Sequence, residues 1–391
     1  MDFALTAEEV AFRKELTDFL ENEMPEGWDD PQPDIYAVGR QEMEMRRKFG
    51  DKGWRTMAWP KEYGGRDASP VMQLIFKEMC SYRGATKVED QGLHFVGPTI
   101  ILHGTEEQKV EHLNRISSGE AFWCQGFSEP EAGSDLAGLQ TRAVEDGDDY
   151  VINGRKIWTS YAHLATWMHI LTRTDPDATK HRGITYFLLD MNTRGISIRP
   201  LITMAGHHHF NEVTFDNVRV PKKNMLGEKN RGWYVAMSAL DYERSGIEYP
   251  AQAKRVLEDV THYAQETKVN GKTLIEQPGV VGKLAECAID IEVSRLLCYR
   301  IAWMQGADLV PNHEASIGKL YGSEMWLRVA NTLTHILGLG SQLAGGSKYA
   351  ILEGVVPDFY LNVVAGAIYS GTSEVQRGII ARRGLGLPRG T

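Results

Sequence analysis

The chain has 391 residues, 43 Lys plus Arg against 52 Asp plus Glu, and a net charge of −9 with histidine neutral. Hydrophobic residues make up 42% and charged residues 24%, the balance of an ordinary soluble globular protein, which excludes a disordered or fibrous chain. At about 150 residues per domain the length calls for two or three domains. The acidic balance argues against holding nucleic acid through the overall field, but leaves room for a phosphorylated small molecule at one local site. Cys80, Cys124, Cys287 and Cys298 show no C-x-x-C spacing, so no zinc or redox motif is signalled, and four thiols in so long a chain fit a reducing compartment. No basic-then-apolar leader opens the chain and no apolar run approaches the about 18 residues of a membrane span, so the expected location is the cytoplasm.

In chain order the pattern falls into three zones. Residues 1–120 read as an N-terminal α-helical domain. Thr6-Ala-Glu-Glu9 is a capping-box pattern, and helix-period segments follow at Val10–Leu20, Ala37–Lys52, Val71–Tyr82, Pro98–His103 and Glu106–Ser117. Residues 121–230 change period and read as a central β-domain, a sandwich or barrel. Asn153-Gly154 between two β-prone runs is a hairpin signal, and further strands are expected at Thr166–Thr172, Ile184–Met191, Ile196–Met204 and Asn211–Val220. Residues 231–391 return to helices, at Gly232–Ile247, Pro250–Glu266, Gly279–Gln305, His313–Leu337 and Glu374–Arg383, as a C-terminal bundle. Helices, then strands, then helices define an α+β multi-domain class and not an alternating parallel Rossmann sheet.

Four stretches carry candidate chemistry. Trp123-Cys-Gln-Gly-Phe-Ser-Glu-Pro-Glu-Ala-Gly-Ser-Asp135 offers backbone N–H groups and hydroxyls suited to a phosphate or the polar edge of a heterocycle, although on composition alone a strand followed by a glycine-rich turn is the simpler account. In Lys156-Ile-Trp158-Thr159-Ser160 an indole stands beside two hydroxyls and can wall a flat ring, or be core. On a helix, the neighbours of Glu243 three and four residues away on either side and seven residues back are Ala236, Ala239, Leu240, Gly246 and Ile247, all apolar or small. Burial there raises a carboxyl pKa and suits a general base; an ion pair with Arg244 is the competing account. Tyr369-Ser370-Gly371-Thr372-Ser373-Glu374 reads as a glycine turn with Ser373 or Thr372 capping a helix. Consecutive His207, His208 and His209 alternate in direction along an extended segment and do not converge on a metal. No GxSxG elbow supports a hydrolase, and the charge run 42–52 is a solvated helix face.

In this order and spacing, the segments resemble the acyl-CoA dehydrogenase family. The carriers are Pro98-Thr99 with Gly104-Thr-Glu-Glu-Gln-Lys109, Phe127-Ser-Glu-Pro with Ala132-Gly-Ser-Asp135, Asn153-Gly154 with Lys156-Ile-Trp158, Asn211-Glu-Val with Val218-Arg-Val-Pro221, Glu243-Arg244, and Gly371-Thr-Ser-Glu-Val-Gln376. The resemblance implies an N-terminal helical domain, a central β-domain, a C-terminal four-helix bundle, and non-covalent FAD. It implies oxidation of an acyl-CoA to the trans-2-enoyl-CoA, an electron-transfer flavoprotein as acceptor, and assembly as a homodimer or homotetramer. By matching position, Phe127 and Ser128 contact the isoalloxazine, Ser134 lies near flavin and CoA phosphates, Trp158, Thr159 and Ser160 flank the ring with Ser160 at flavin N5, and Thr372 and Glu374 reach the adenosine side. Asp241, Arg244, Tyr369, Gly371, Ser134 and, more loosely, Arg382 match substrate contacts.

Three departures accompany the resemblance. Many members carry the catalytic glutamate at the position of Ser370, which is no base at neutral pH; a minority, similar to isovaleryl-CoA and some long-chain dehydrogenases, carry it at the position of Glu243. The resemblance and the helical pattern thus both point to Glu243, with the backbone N–H of Ser370 left to stabilise the thioester oxygen. Thr267-Lys-Val-Asn270-Gly271 stands where an Arg and a Phe usually reach the neighbouring subunit's FAD; loss of both weakens that contact or moves it to Lys268 or Lys272. Glu131 replaces a usual glycine and needs an outward orientation. Two other readings are an acyl-CoA oxidase or flavin monooxygenase of the same fold, and a non-catalytic or half-site subunit of a hetero-oligomer.

Overall fold

The Thr6 capping box closes in both directions: the Thr6 hydroxyl accepts the Glu9 N–H at 3.3 Å and the Glu9 carboxylate accepts the Thr6 N–H at 2.8 Å. Helix α1 (Ala7–Glu23) starts there. The structure, a computed structural model, describes residues 4–25, 28, 40–85, 91–239 and 246–388. Helices α2 (Arg40–Asp51), α3 (Pro70–Tyr82), α4 (Gly97–His103) and α5 (Glu106–Ser117) follow the expected segments, with Ser69 and Thr105 as the side-chain caps of α3 and α5. The chain divides into two compact units, one of residues 1–45, 68–87 and 244–391, the other of residues 46–67 and 88–243.

The second unit is built on a seven-stranded sheet of β1 (Trp123–Gly126), β2 (Arg142–Asp146), β3 (Asp149–Lys156), β4 (Trp167–Arg173), β5 (Ile184–Asp190), β6 (Ile196–Ile202) and β7 (His208–Pro221). The path runs β1-β4-β2-β3-β7-β6, with β5 paired antiparallel on β4. Period-two alternation sends Trp167, Leu171, Tyr186 and Leu188 to one face, where Phe95, Ile100, Leu113, Ile116 and Ala236 cover them. Met168, Ile170, Phe187 and Leu189 go to the other face, against Ile152, Val213, Phe215 and Val218. With both faces covered, β4 and β5 read as almost unbroken apolar runs.

The expected hairpin at Asn153-Gly154 is not one. β3 runs straight through both residues, and the β2–β3 turn lies at Gly147-Asp148, between the paired Asp146 and Asp149. Gly154 instead marks a register shift against β7. A Cβ there would stand 2.7 Å from Thr141 Cα, so the glycine admits a neighbouring backbone and does not reverse the chain.

In the first unit α7 (Glu248–Glu266), a short hairpin β8 (Lys268–Val269) and β9 (Lys272–Thr273), α8 (Val280–Gly306), α9 (Asn312–Leu337), α10 (Val355–Val363) and α11 (Ser373–Ile379) enclose a core that includes Leu257, Val260, Leu284, Ile291, Trp326, Val329, Leu333 and Phe359. Helix α10 has no counterpart among the expected elements. Its Pro357 reads as a breaker in sequence, but stands in the first turn, where no intrahelical N–H bond is lost. The expected helix 232–247 is described as α6 (Gly232–Ala239). Its last two residues depart from a helix: Gly246 has φ +61°, and Ile247 precedes α7. Two of the helical neighbours adduced for Glu243, at i+3 and i+4, therefore do not support it.

Candidate functional site

In the sheet unit, two segments far apart in sequence become neighbours. The chain leaving β1 runs through Phe127 and Ser128, and the Ile157 N–H donates to the Ser128 carbonyl at 2.9 Å. The next residues of β3's extension, Trp158, Thr159 and Ser160, thus continue beside the 127–128 segment. A buried ion pair fastens this junction. Lys156 is wholly buried; its Nζ donates to the Phe127 carbonyl at 2.9 Å and to Glu129 Oε1 at 2.8 Å. The Glu129 carboxylate also accepts the backbone N–H groups of Gln140 at 2.6 Å and Thr141 at 2.9 Å. Burial opposes both charges. It lowers Lys156 to about 8, whereas Glu129 ends below the ordinary carboxylate range because Lys156 and the donors at 140 and 141 outweigh its desolvation. Both groups are thus charged at neutral pH.

On the other side, Asn211 straps the segment down. Thr159 and Asn211 exchange backbone hydrogen bonds at 3.0 and 3.1 Å, and the Asn211 side-chain amide donates to the Thr159 carbonyl at 3.1 Å. Trp158 is held at φ +60°, its indole 59% exposed and edge-to-face with Phe210. A left-handed conformation is costly for a large residue and marks a constrained position. The Thr159 hydroxyl is buried with no hydrogen-bond partner among the described residues. Ser128 and Ser160 are half-buried, and Ser134 is exposed beside Asp135, which pairs with Lys180 at 2.6 Å. An exposed aromatic face flanked by hydroxyls, one of them unsatisfied, fits a flat heterocycle with a hydrogen-bonding edge.

In the helical unit, Tyr369, Ser370 and Gly371 form the turn before α11. Thr372 is the N-cap, its hydroxyl accepting the Val375 N–H at 3.2 Å, and Glu374 lies exposed in the first turn. Arg382 is exposed and donates to the Gly378 carbonyl at 2.9 Å. Asp241, Glu243 and Arg244 lie outside the described residues. Glu131 is exposed. Asn270 and Gly271, both at positive φ, form the two-residue tip of the β8–β9 hairpin, with Lys268 and Lys272 exposed on its two strands. Of the three adjacent histidines, His209 is buried, while His208 stacks on His163 and bonds to Asn211 at 2.8 Å.

Sequence reasoning missed the roles of Lys156, Glu129 and Asn211. A signal for the first was present: Lys156 shares the inward parity of buried Tyr150 and Ile152 along β3, so a charge at that position demands a buried partner.

Models of the acyl-CoA dehydrogenase N-terminal, middle and C-terminal domains match residues 6–120, 124–218 and 230–385. The acyl-CoA dehydrogenase FadE26 of Mycobacterium tuberculosis is 38% identical over 361 residues, 90% of each chain. Among solved structures, the ChsE4-ChsE5 complex of Mycobacterium tuberculosis aligns with a TM-score of 0.91 at 36% identity over the whole of both chains. The Tcur3481-Tcur3483 steroid acyl-CoA dehydrogenase aligns at 0.90 and 34%, again over both whole chains. The fold is that of a flavoprotein oxidoreductase, with an N-terminal helical domain, a middle β half-barrel domain and a C-terminal helical domain. The chain belongs to the acyl-CoA dehydrogenase family, whose reaction is the dehydrogenation of acyl-CoA thioesters.

Lys156→Met removes the cation from a closed site and strands the Glu129 carboxylate. The expected cost is roughly 3 kcal/mol of stability, read from urea midpoints. A midpoint equal to that of the parent chain contradicts the ion pair's role.

Proposed function

We propose that the chain binds FAD along Phe127, Ser128 and Trp158–Ser160 and converts an acyl-CoA to its trans-2-enoyl-CoA with Glu243 as base. The observation that carries this reading is the junction of the 127–128 and 158–160 segments, which sets an exposed indole and several hydroxyls side by side. Ser134, Thr372 and Glu374 serve the cofactor's phosphates and adenosine, and Asp241, Arg244, Tyr369, Gly371 and Arg382 the CoA substrate. Glu243 removes the α-proton, and the resulting negative charge on the thioester oxygen is met by the Ser370 N–H. FAD, when bound, supplies the acceptor for the β-hydrogen and its electron pair, and an electron-transfer flavoprotein takes the electrons onward. The likeness to a steroid acyl-CoA dehydrogenase supports a bulky, ring-bearing acyl group. Glu243→Gln should leave FAD bound and yellow but abolish its bleaching by acyl-CoA, while Ser370→Ala, which keeps the N–H, still bleaches. Bleaching in Glu243→Gln together with its loss in Ser370→Ala contradicts the base assignment.

The same reading includes assembly. Helix α8 exposes Val281, Ile289, Val293, Leu296 and Trp303 opposite its buried face, an apolar stripe suited to a second subunit of this fold. The Asn270-Gly271 tip and the likeness to the ChsE4-ChsE5 complex favour a second form of it, a hetero-oligomer in which this chain does not complete its neighbour's flavin site. The purified chain should be a dimer or tetramer by light scattering. One FAD per chain supports the homo-oligomer; a substoichiometric content, restored by a co-expressed family member, supports the second form.

A further inference from the structure

The turn that carries Ser370 is gripped from inside by two side chains. Lys319, on α9, donates from Nζ to the carbonyls of Gly366 and Gly371, both at 2.8 Å. Gln376, on α11, is buried and donates from Nε2 to the Ser370 carbonyl at 3.0 Å. Between them, consecutive residues are left-handed: Ser370 at φ +52° and Gly371 at φ +81°. A non-glycine residue keeps that conformation only where its surroundings over-determine it. Glycine at 371 is required by the grip itself, since a Cβ there would stand 2.6 Å from Gln376 Nε2.

Two further observations set this arrangement apart from ordinary loop anchoring. Lys319 forms no ion pair among the described residues: Glu324, five residues on along α9, is engaged by Arg377 at 2.6 Å, and the hydrogen bonds of the ammonium go to the two carbonyls, with the ring of Tyr369, in the same turn, 5.9 Å away. Burial lowers it to about 8, so it remains a charged donor at neutral pH. With three carbonyls of the turn drawn inward, the N–H groups of Ser370 and Gly371 have no acceptor among the described residues. Unpaired adjacent donors on a strained, clamped turn are pre-set for an anionic oxygen.

We infer that Lys319 and Gln376 are positioning residues that hold the Ser370 and Gly371 N–H groups toward the thioester oxygen by fixing the carbonyls of the same turn. This rests on the reading of the Ser370 N–H given above, and extends it to two residues that do not touch substrate.

The test uses holoenzyme and the acyl-CoA that bleaches the flavin fastest in a panel from butyryl-CoA to a steroid-side-chain CoA thioester, prepared as its [1-13C]enoyl product. Isotope-edited infrared spectroscopy then reads the bound thioester carbonyl directly. In the parent enzyme the stretch should shift to lower frequency than in free ligand. Lys319→Met should lose most of that shift and lower kcat by roughly 10- to 100-fold with KM changed less than about threefold, and Lys319→Arg should recover much of both. If Lys319→Met does not fold, Gln376→Leu carries the test, with a smaller loss of the shift. A full carbonyl shift in Lys319→Met, or in Gln376→Leu where that variant stands in, overturns the inference. A parent holoenzyme that shows neither carbonyl shift nor flavin bleaching with any thioester refutes the underlying reading of the turn instead.

Discussion

A single buried ion pair determines how the sheet unit presents its candidate site. Lys156 reaches back from the end of β3 to the Phe127 carbonyl and to Glu129, and Glu129 in turn takes the N–H groups that lead into β2. A buried charge is tolerable only with a partner and a full set of hydrogen bonds, so the pair has one stable geometry. That geometry joins the segment leaving β1 to the segment leaving β3. The left-handed Trp158 and the strapped Thr159 follow from it, because the Ser128 carbonyl on one side and Asn211 on the other fix the backbone between them.

The helical unit uses the same device. At the 366–371 turn a lysine and a glutamine hold carbonyls, and the backbone between them is forced into a sparsely populated conformation. In both places polar side chains within the fold hold the peptide groups of a loop. The surface then presents what is left over: the Trp158 indole beside the half-buried Ser160, and N–H groups at 370–371 that have no acceptor among the described residues. Such supporting bonds let loop residues keep a defined geometry.

Much of the fold was legible in the sequence. The capping box at Thr6, the apolar period of α7 to α9, and the β-branched runs of β4, β5 and β7 are local signals that tertiary packing left intact. The failures have local causes. Asn153-Gly154 has turn chemistry, yet the glycine serves a close approach to Thr141; Pro357 looks like a breaker but sits in a first turn; Gly246 looks helix-compatible and is left-handed. For the candidate site, Trp158, Thr159 and Ser160 could be singled out because an aromatic beside hydroxyls is unusual in itself. Glu129, Asn211, Lys319 and Gln376 were not, because their partners lie 27 to 52 residues away or are backbone carbonyls, which leave no trace in side-chain pattern.

The central claim is that the surface prepared by this scaffold holds FAD for the two-electron oxidation of an acyl-CoA. Anaerobic mixing of the FAD-loaded protein with a panel of straight-chain, branched and ring-bearing acyl-CoAs, followed by flavin absorbance and by mass analysis of the thioester, tests it most directly. The account predicts bleaching with at least one thioester and a product lighter by two hydrogens. Stable flavin absorbance across the whole panel, with every thioester recovered unchanged, would contradict it.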